Sequence, residues 1–175
     1  MAFPHSVRRV DDQFLKTAPI VVTATVDLDA PPAAVFEALG SDEMWSWMPI
    51  LDRLRWVTPR PLGEGAVRTL RIGRSVEVEE EFYRWEEGRR ATFTVTSASK
   101  PYLKALAEDF ILEPTSRGTR LTWVMALDPG GKHAAKLGKV LGPLLAPGNK
   151  FAISGIKKII KPQAPVAPPR ETATV

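Results

Sequence analysis

Hydrophobic and polar positions alternate with a period of two over most of the chain between residues 20 and 128, the mark of strands that bury one side. Ile20 to Leu28 is rich in β-branched residues and opens the series. Leu51 to Val57, Ala66 to Gly73, Ser75 to Trp85, Arg90 to Ser99, Leu106 to Glu113 and Gly118 to Pro129 continue it. Turn signals separate these runs: Pro59 to Gly65, Glu86-Glu87-Gly88, Lys100-Pro101-Tyr102, and Pro114 to Gly118. Seven strands with short connections predict one antiparallel sheet. Two short helices are predicted between the first and second strands. One follows Pro31-Pro32 and carries Val35, Phe36 and Leu39; the other covers Ser41 to Met48.

After Asp128-Pro129-Gly130-Gly131 the period becomes helical, with Leu137, Val140, Leu141, Leu144 and Leu145 on one face and Lys132, Lys136 and Lys139 on another. Pro143 and Pro147-Gly148 can kink or break this helix, and a second helical stretch is expected from about Asn149 to Ile160. Residues 1–18 lack a clear period and read as an N-terminal arm, with a short helix around Val10 to Lys16. Residues 162–175 are too polar and proline-rich to order themselves, and read as a tail. The expected domain is 19–161. The fold class is α+β: a curved sheet around a long, proline-kinked C-terminal helix, with a space between them that serves as a pocket.

Composition removes many chemistries. A chain of 175 residues that is 44% hydrophobic buries one substantial core. Cysteine is absent, which excludes disulfides, thiolate metal sites and cysteine nucleophiles. His5 and His133 give little material for a histidine metal cluster or a Ser-His-Asp relay, and His133 reads as an exposed residue at a helix start. There is no glycine-rich phosphate loop, so no cofactor is expected. The start has no signal-like apolar run and no window is long and apolar enough to span a bilayer, which makes the expected location cytoplasmic. The net charge of +4 is concentrated toward the C-terminus and does not call for a nucleic-acid partner.

Alternation also names the pocket candidates. Phe82, Phe93, Val95, Phe110, Leu112, Trp123 and Met125 come from strands; Trp45, Met48, Leu141, Leu145 and Phe151 come from helical stretches. Trp45, Trp47, Met44 and Met48 either pack the helices on the sheet or wall the pocket. Two carboxylates break the apolar pattern. Glu80 lies between Val78 and Phe82, and Glu108 two positions before Phe110, so both point inward unless a bulge reverses them. An inward carboxylate is either paired, with Arg68 or Arg71, or left with a raised pKa fit for acid–base work.

Four local motifs, in order, resemble one superfamily. Val26 to Leu39 is similar to its first strand and helix, and Ser41 to Pro49 to its aromatic, Trp-x-Pro second helix. Glu81 to Phe93 is similar to its central hairpin, and Leu112-Glu-Pro through Gly118-Thr to Trp123 to its last hairpin. This is the START-like superfamily, also called the polyketide cyclase/dehydrase and lipid-transport family or the Bet v 1-like helix-grip fold. The resemblance covers residues 20–161 and implies a container for a hydrophobic small molecule, lipid or polyketide-like, acting as a carrier or binding protein. It equally implies a cyclase or dehydratase in which Glu80 or Glu108 moves protons. A filled interior serving an interaction protein is the third reading. The lysines around Phe151, Ile156 and Ile160 offer a further partner, an anionic membrane surface touched in passing.

Overall fold

The strict alternation of the first long strand sets the frame: every second residue from Ile20 to Leu28 is buried and those between are exposed. The computed structural model describes residues 3–131, 134, 143, 147, 148 and 150–160. The elements are β1 (His5–Ser6), α1 (Phe14–Thr17), β2 (Ile20–Leu28), α2 (Pro32–Leu39), β3 (Leu51–Trp56), β4 (Val67–Ile72), β5 (Val76–Glu86), β6 (Arg90–Ala98), β7 (Ala105–Thr115) and β8 (Gly118–Asp128). Residues 150–154 are helical and lead into a 3-10 turn, Gly155–Lys158.

The seven long strands form one antiparallel sheet in the order β2-β8-β7-β6-β5-β4-β3. All neighbours are successive hairpins except β2, which pairs with β8 from Ile20–Leu127 to Leu28–Thr119. The register slips between Glu79 and Glu80 and between Phe82 and Arg84 on β5, and between Asp52 and Arg55 on β3. Such irregularities add twist and bend a strand, and here they sit in the half of the sheet that curls furthest from β2. The result is the helix-grip fold, α+β with a curved antiparallel sheet.

Its inner face carries Ala24, Val26, Leu28, Phe82, Ala91, Phe93, Phe110, Leu112, Leu121 and Trp123. Against them pack Val35, Phe36 and Leu39 of α2, Met44 and Trp45, and Ala152, Ile153, Ile156 and Ile160 from the C-terminal segment. The turn before β8 closes on the β2–α2 connection. Gly118 has φ 153°, and a Cβ there would stand 2.2 Å from the Leu28 carbonyl oxygen, so only glycine fits. The buried Thr119 hydroxyl donates to the Ala30 carbonyl at 2.7 Å.

Two expectations are corrected. Residues 42–47 form successive turns, not a second helix, because Trp45 sits at φ 74°, outside the right-handed helical region. The N-terminal arm is part of the folded body. β1 pairs with β6 where β7 no longer does, Val7 donates its N–H to the Thr96 carbonyl at 2.9 Å, and Val7, Phe14 and Leu15 are buried. Phe14 and Leu15 cover Ala105, Ala107 and Ala126 on the outer face. Asp12 then ties the segment down by accepting from Arg84 Nη2 at 2.7 Å and Tyr83 Oη at 3.2 Å. Pro143, Pro147 and Gly148 are each helical. The expected helix from Lys132, with His133, Leu141 and Leu145, and the expected tail 162–175 otherwise lie outside the described residues.

Candidate functional site

The inner face is apolar except at one place, where β4, β5, β6 and β7 bring polar side chains into an aromatic wall. Arg68 on β4 is opposite Glu80 on β5, and Glu80 is opposite Val95 on β6. One step along, Phe82 is opposite Phe93, Phe93 opposite Glu108, and Glu108 opposite Met125. Alternation therefore aims Arg68, Glu80 and Glu108 at the same interior.

Arg68 is 1% exposed, and its Nε donates to Glu80 Oε2 at 2.5 Å. The guanidinium lies over three rings, with Cζ 4.9 Å from the centroids of Phe82 and Phe93 and 5.5 Å from that of Trp56. Ring faces attract a cation, so the three rings are favourable neighbours for the guanidinium away from water. Burial pushes the Glu80 carboxyl above its ordinary range, against the downward pull of the Arg68 charge and hydrogen bond. Arg68 Nη2 and Trp56 Nε1 are both buried and have no hydrogen-bond partner among the described residues.

Among the described residues, no cation is hydrogen-bonded to Glu108. Its Oε2 accepts from Trp123 Nε1 at 2.9 Å. Burial first, and the neighbouring Glu80 second, raise its pKa to about 8; Arg68 and the Trp123 hydrogen bond only partly offset this. At neutral pH Glu108 thus holds a proton that it can give up to a modest base.

The aromatic wall is continuous. Trp45 meets Trp123 at 5.1 Å and Phe110 at 6.2 Å, Phe110 meets Phe93 at 6.3 Å, and Phe93 meets Phe82 at 5.1 Å. Tilted contacts at these separations are favourable beyond the area they bury. Trp47 fastens the C-terminal segment to this wall. Its Nε1 donates to the Ala152 carbonyl at 3.1 Å, and its ring lies so close to Gly155 that a Cβ there would come within 1.9 Å of it.

Six of the expected pocket residues, Trp45, Phe82, Phe93, Phe110, Leu112 and Trp123, fall in one buried cluster, with Met48 partly buried at its margin. Met125 is half-buried beside Glu108. Val95 is buried in an adjoining cluster with Val7, Leu70, Val78 and Ala98. Phe151 is misplaced in the sequence reading. It is 70% exposed, since the helical phase that buries Ala152, Ile153 and Ile156 turns Phe151 outward. Leu141 and Leu145 lie outside the described residues. Arg68 enters the site as the partner of Glu80, whereas Arg71 pairs with Asp52. Trp56 was not among the expected residues; it shares the alternation of Leu54 on β3, a signal that was there to use.

A cleft of about 280 Å³ adjoins Trp45, lined also by Met44, Leu51, Leu54 and Leu70, with Asp42, Ser46, Asp52 and Arg53 at its margin. A second cleft of about 550 Å³ runs between α2 and the β5–β6 turn, with Phe36, Leu62 and Trp85 on its floor and Glu37 and Arg60 among its lining residues. Among the described residues, no group of three or more acidic or histidine side chains is placed to hold a metal ion, and no helix is long and apolar enough to cross a membrane.

A curved sheet closing on a C-terminal helical segment, with a mostly apolar interior, defines a hydrophobic-ligand-binding fold of the Bet v 1-like, START-like class. The chain belongs to the polyketide cyclase / dehydrase and lipid transport family, whose pattern matches residues 19–162. It is 34% identical over 142 residues to an uncharacterised protein, Rv2574, of Mycobacterium tuberculosis, covering 81% of this chain and 84% of that one. The same identity and coverage hold for an uncharacterised protein, Mb2604, of Mycobacterium bovis. Among solved structures it is similar to TTHA0849 from Thermus thermophilus, with a TM-score of 0.64 at 16% identity, over 80% of this chain and 96% of that one. It is similar also to Ara h 8.0201, with a TM-score of 0.61 at 15% identity over 80% and 96%. The Zhui aromatase/cyclase from Streptomyces sp. R1128 gives 0.60 at 13% identity over 79% and 93%. At these identities the structures speak for the fold alone.

Proposed function

We propose that this protein binds and carries an apolar small molecule, lipid or polyketide-like, between the inner face of its sheet and its C-terminal helical segment. The observation that supports this reading most directly is the continuous wall of Trp45, Trp123, Phe110, Phe93 and Phe82, which reaches a cleft at Met44, Leu51 and Leu54. A wall of rings interrupted by few polar groups is what an apolar ligand requires. The test is native mass spectrometry of the purified protein with organic extraction of anything bound, together with titration by the neutral dye Nile red. A saturable one-to-one fluorescence gain is expected, with or without a co-purified adduct. No saturable dye binding and no adduct would sink the carrier reading in favour of an interaction protein with a filled interior.

Glu108 favours a second reading, a dehydratase or cyclase. Glu80 accepts from Arg68, whereas among the described residues Glu108 accepts only from the Trp123 indole N–H, and burial raises its pKa to about 8. In that reading the minor ionised fraction of Glu108, regenerated at each turnover, takes a proton α to a ligand carbonyl and returns it to the departing β-hydroxyl, which leaves as water. Ligand recovered from the wild type and from Glu108→Gln separates the two. Equal masses support the carrier; a wild-type product lighter by one water supports the enzyme.

A further inference from the structure

We infer that Arg68 and Trp56 form an acceptor site, and that the apolar ligand carries a neutral carbonyl oxygen which docks on Arg68 Nη2 and Trp56 Nε1. This rests on the apolar-pocket reading above and names the polar group that its ligand would bear. Arg68 and Trp56 are directly opposite one another on β4 and β3, so their side chains leave the sheet on the same face. Both N–H groups are buried without a partner among the described residues, and Arg68 is 1% exposed. Buried donors are rarely left open, because each forgoes a hydrogen bond that water would have given. The Arg68 guanidinium lies over the ring faces of Trp56, Phe82 and Phe93, which take up its charge but are not oxygen acceptors. A cleft lies close to them along the two strands. Leu54 and Leu70 line the cleft of about 280 Å³. Each lies two residues along its strand from Trp56 or Arg68, a distance of about 7 Å.

The same surroundings choose between acceptors. The Arg68 charge is already met by Glu80 at Nε, and Glu108 opens onto the same interior from the next strand pair. A carboxylate ligand would place a second negative charge beside Glu80, and next to the protonated Glu108, in an apolar enclosure. A ketone or ester oxygen accepts both hydrogen bonds without adding one.

The probe is Prodan, an apolar naphthalene with one ketone whose emission and carbonyl stretch respond to hydrogen bonding, compared with its 6-propyl analogue, which lacks the oxygen. The wild type is expected to bind the ketone roughly 10-fold more tightly than the analogue, with the bound carbonyl stretch shifted to lower wavenumber. Trp56→Phe, which keeps a ring, is expected to cut that preference several-fold, read as the ratio of ketone to analogue affinity in the same variant. The carbonyl stretch is read on the unaltered protein, so the test survives if variants fold poorly. Competition by 2-undecanone and by methyl decanoate tells a ketone chain from an acyl ester, and decanoate should compete least. Equal binding of ketone and analogue, an unshifted stretch, or stronger competition by decanoate overturns the acceptor site while leaving the apolar pocket standing. Binding of neither compound overturns the pocket and this inference with it.

Discussion

Replacing Glu108 by glutamine should stabilise the protein, and by an amount that grows with pH. The carboxyl has its pKa raised from 4.5 to about 8 in the folded chain, chiefly by burial. A carboxyl that holds its proton more tightly when folded costs nothing at low pH, where both states are protonated. It costs progressively more as pH rises from its unfolded value toward its folded one, because the folded state must either keep the proton or bury the charge. Each pH unit in that window is worth at most about 1.4 kcal/mol, so the ceiling at pH 8 is about 4 kcal/mol. Glu108 is only partly shielded from solvent, and we expect about half of that ceiling. Glutamine keeps an oxygen for Trp123 Nε1, which isolates the charge from the hydrogen bond. Urea melts of both proteins at several pH values from about 5 to 9 measure the difference. The gap should open between about pH 5 and pH 8 and then level off. A gap that is flat across that range, or a variant less stable at every pH, would refute a raised Glu108.

Other contacts give three further expected outcomes. Arg68→Met leaves Glu80 without its cation inside the ring of Trp56, Phe82 and Phe93, and should destabilise by about 3–5 kcal/mol, whereas Arg68→Met with Glu80→Leu should recover most of that in the same urea melts. Gly155→Ala drives a methyl into the Trp47 indole and should cost about 1–3 kcal/mol with a red shift of tryptophan emission; Gly148→Ala, with open space around it, should be neutral or slightly stabilising. Phe151→Asp should leave the melting temperature unchanged and weaken sedimentation with anionic vesicles, since Phe151 projects from a surface that also exposes Lys150, Lys157 and Lys158. Unchanged sedimentation would remove the membrane contact.

The strands were legible because a period of two survives the loss of all other information. Ile20–Leu28 matches its reading residue for residue, and Glu80 and Glu108 point inward as their alternation required, despite the slip beside Glu80. The helical parts were less so. Trp45 adopts a left-handed backbone that no neighbouring residue type announces, so a turn series was read as a helix. Phe151 was placed in the pocket by its hydrophobicity, but Ala152, Ile153, Ile156 and Ile160 set the phase of that segment and leave Phe151 on the other side. Arg68 was visible in principle: it shares a face with Leu70, the same polar interruption that marked the two glutamates. What alternation could not supply was distance, and distance decides that, among the described residues, Glu80 meets a cation while Glu108 meets an indole N–H.

The pairing of β2 with β8 also has a consequence for how the chain is made. Strands β3 to β8 join by hairpins and can assemble as each leaves the ribosome, but the partner of β2 lies about 100 residues further along. At ordinary rates of synthesis, β2 therefore waits roughly 5–20 s for its neighbour. Throughout that interval Ile20-Val-Val-Thr-Ala-Thr-Val26, uncharged and rich in β-branched residues, is an unpaired strand. The first long strand of the sheet is among the last to find its place, and it is where a nascent chain of this protein most needs protection from its own copies.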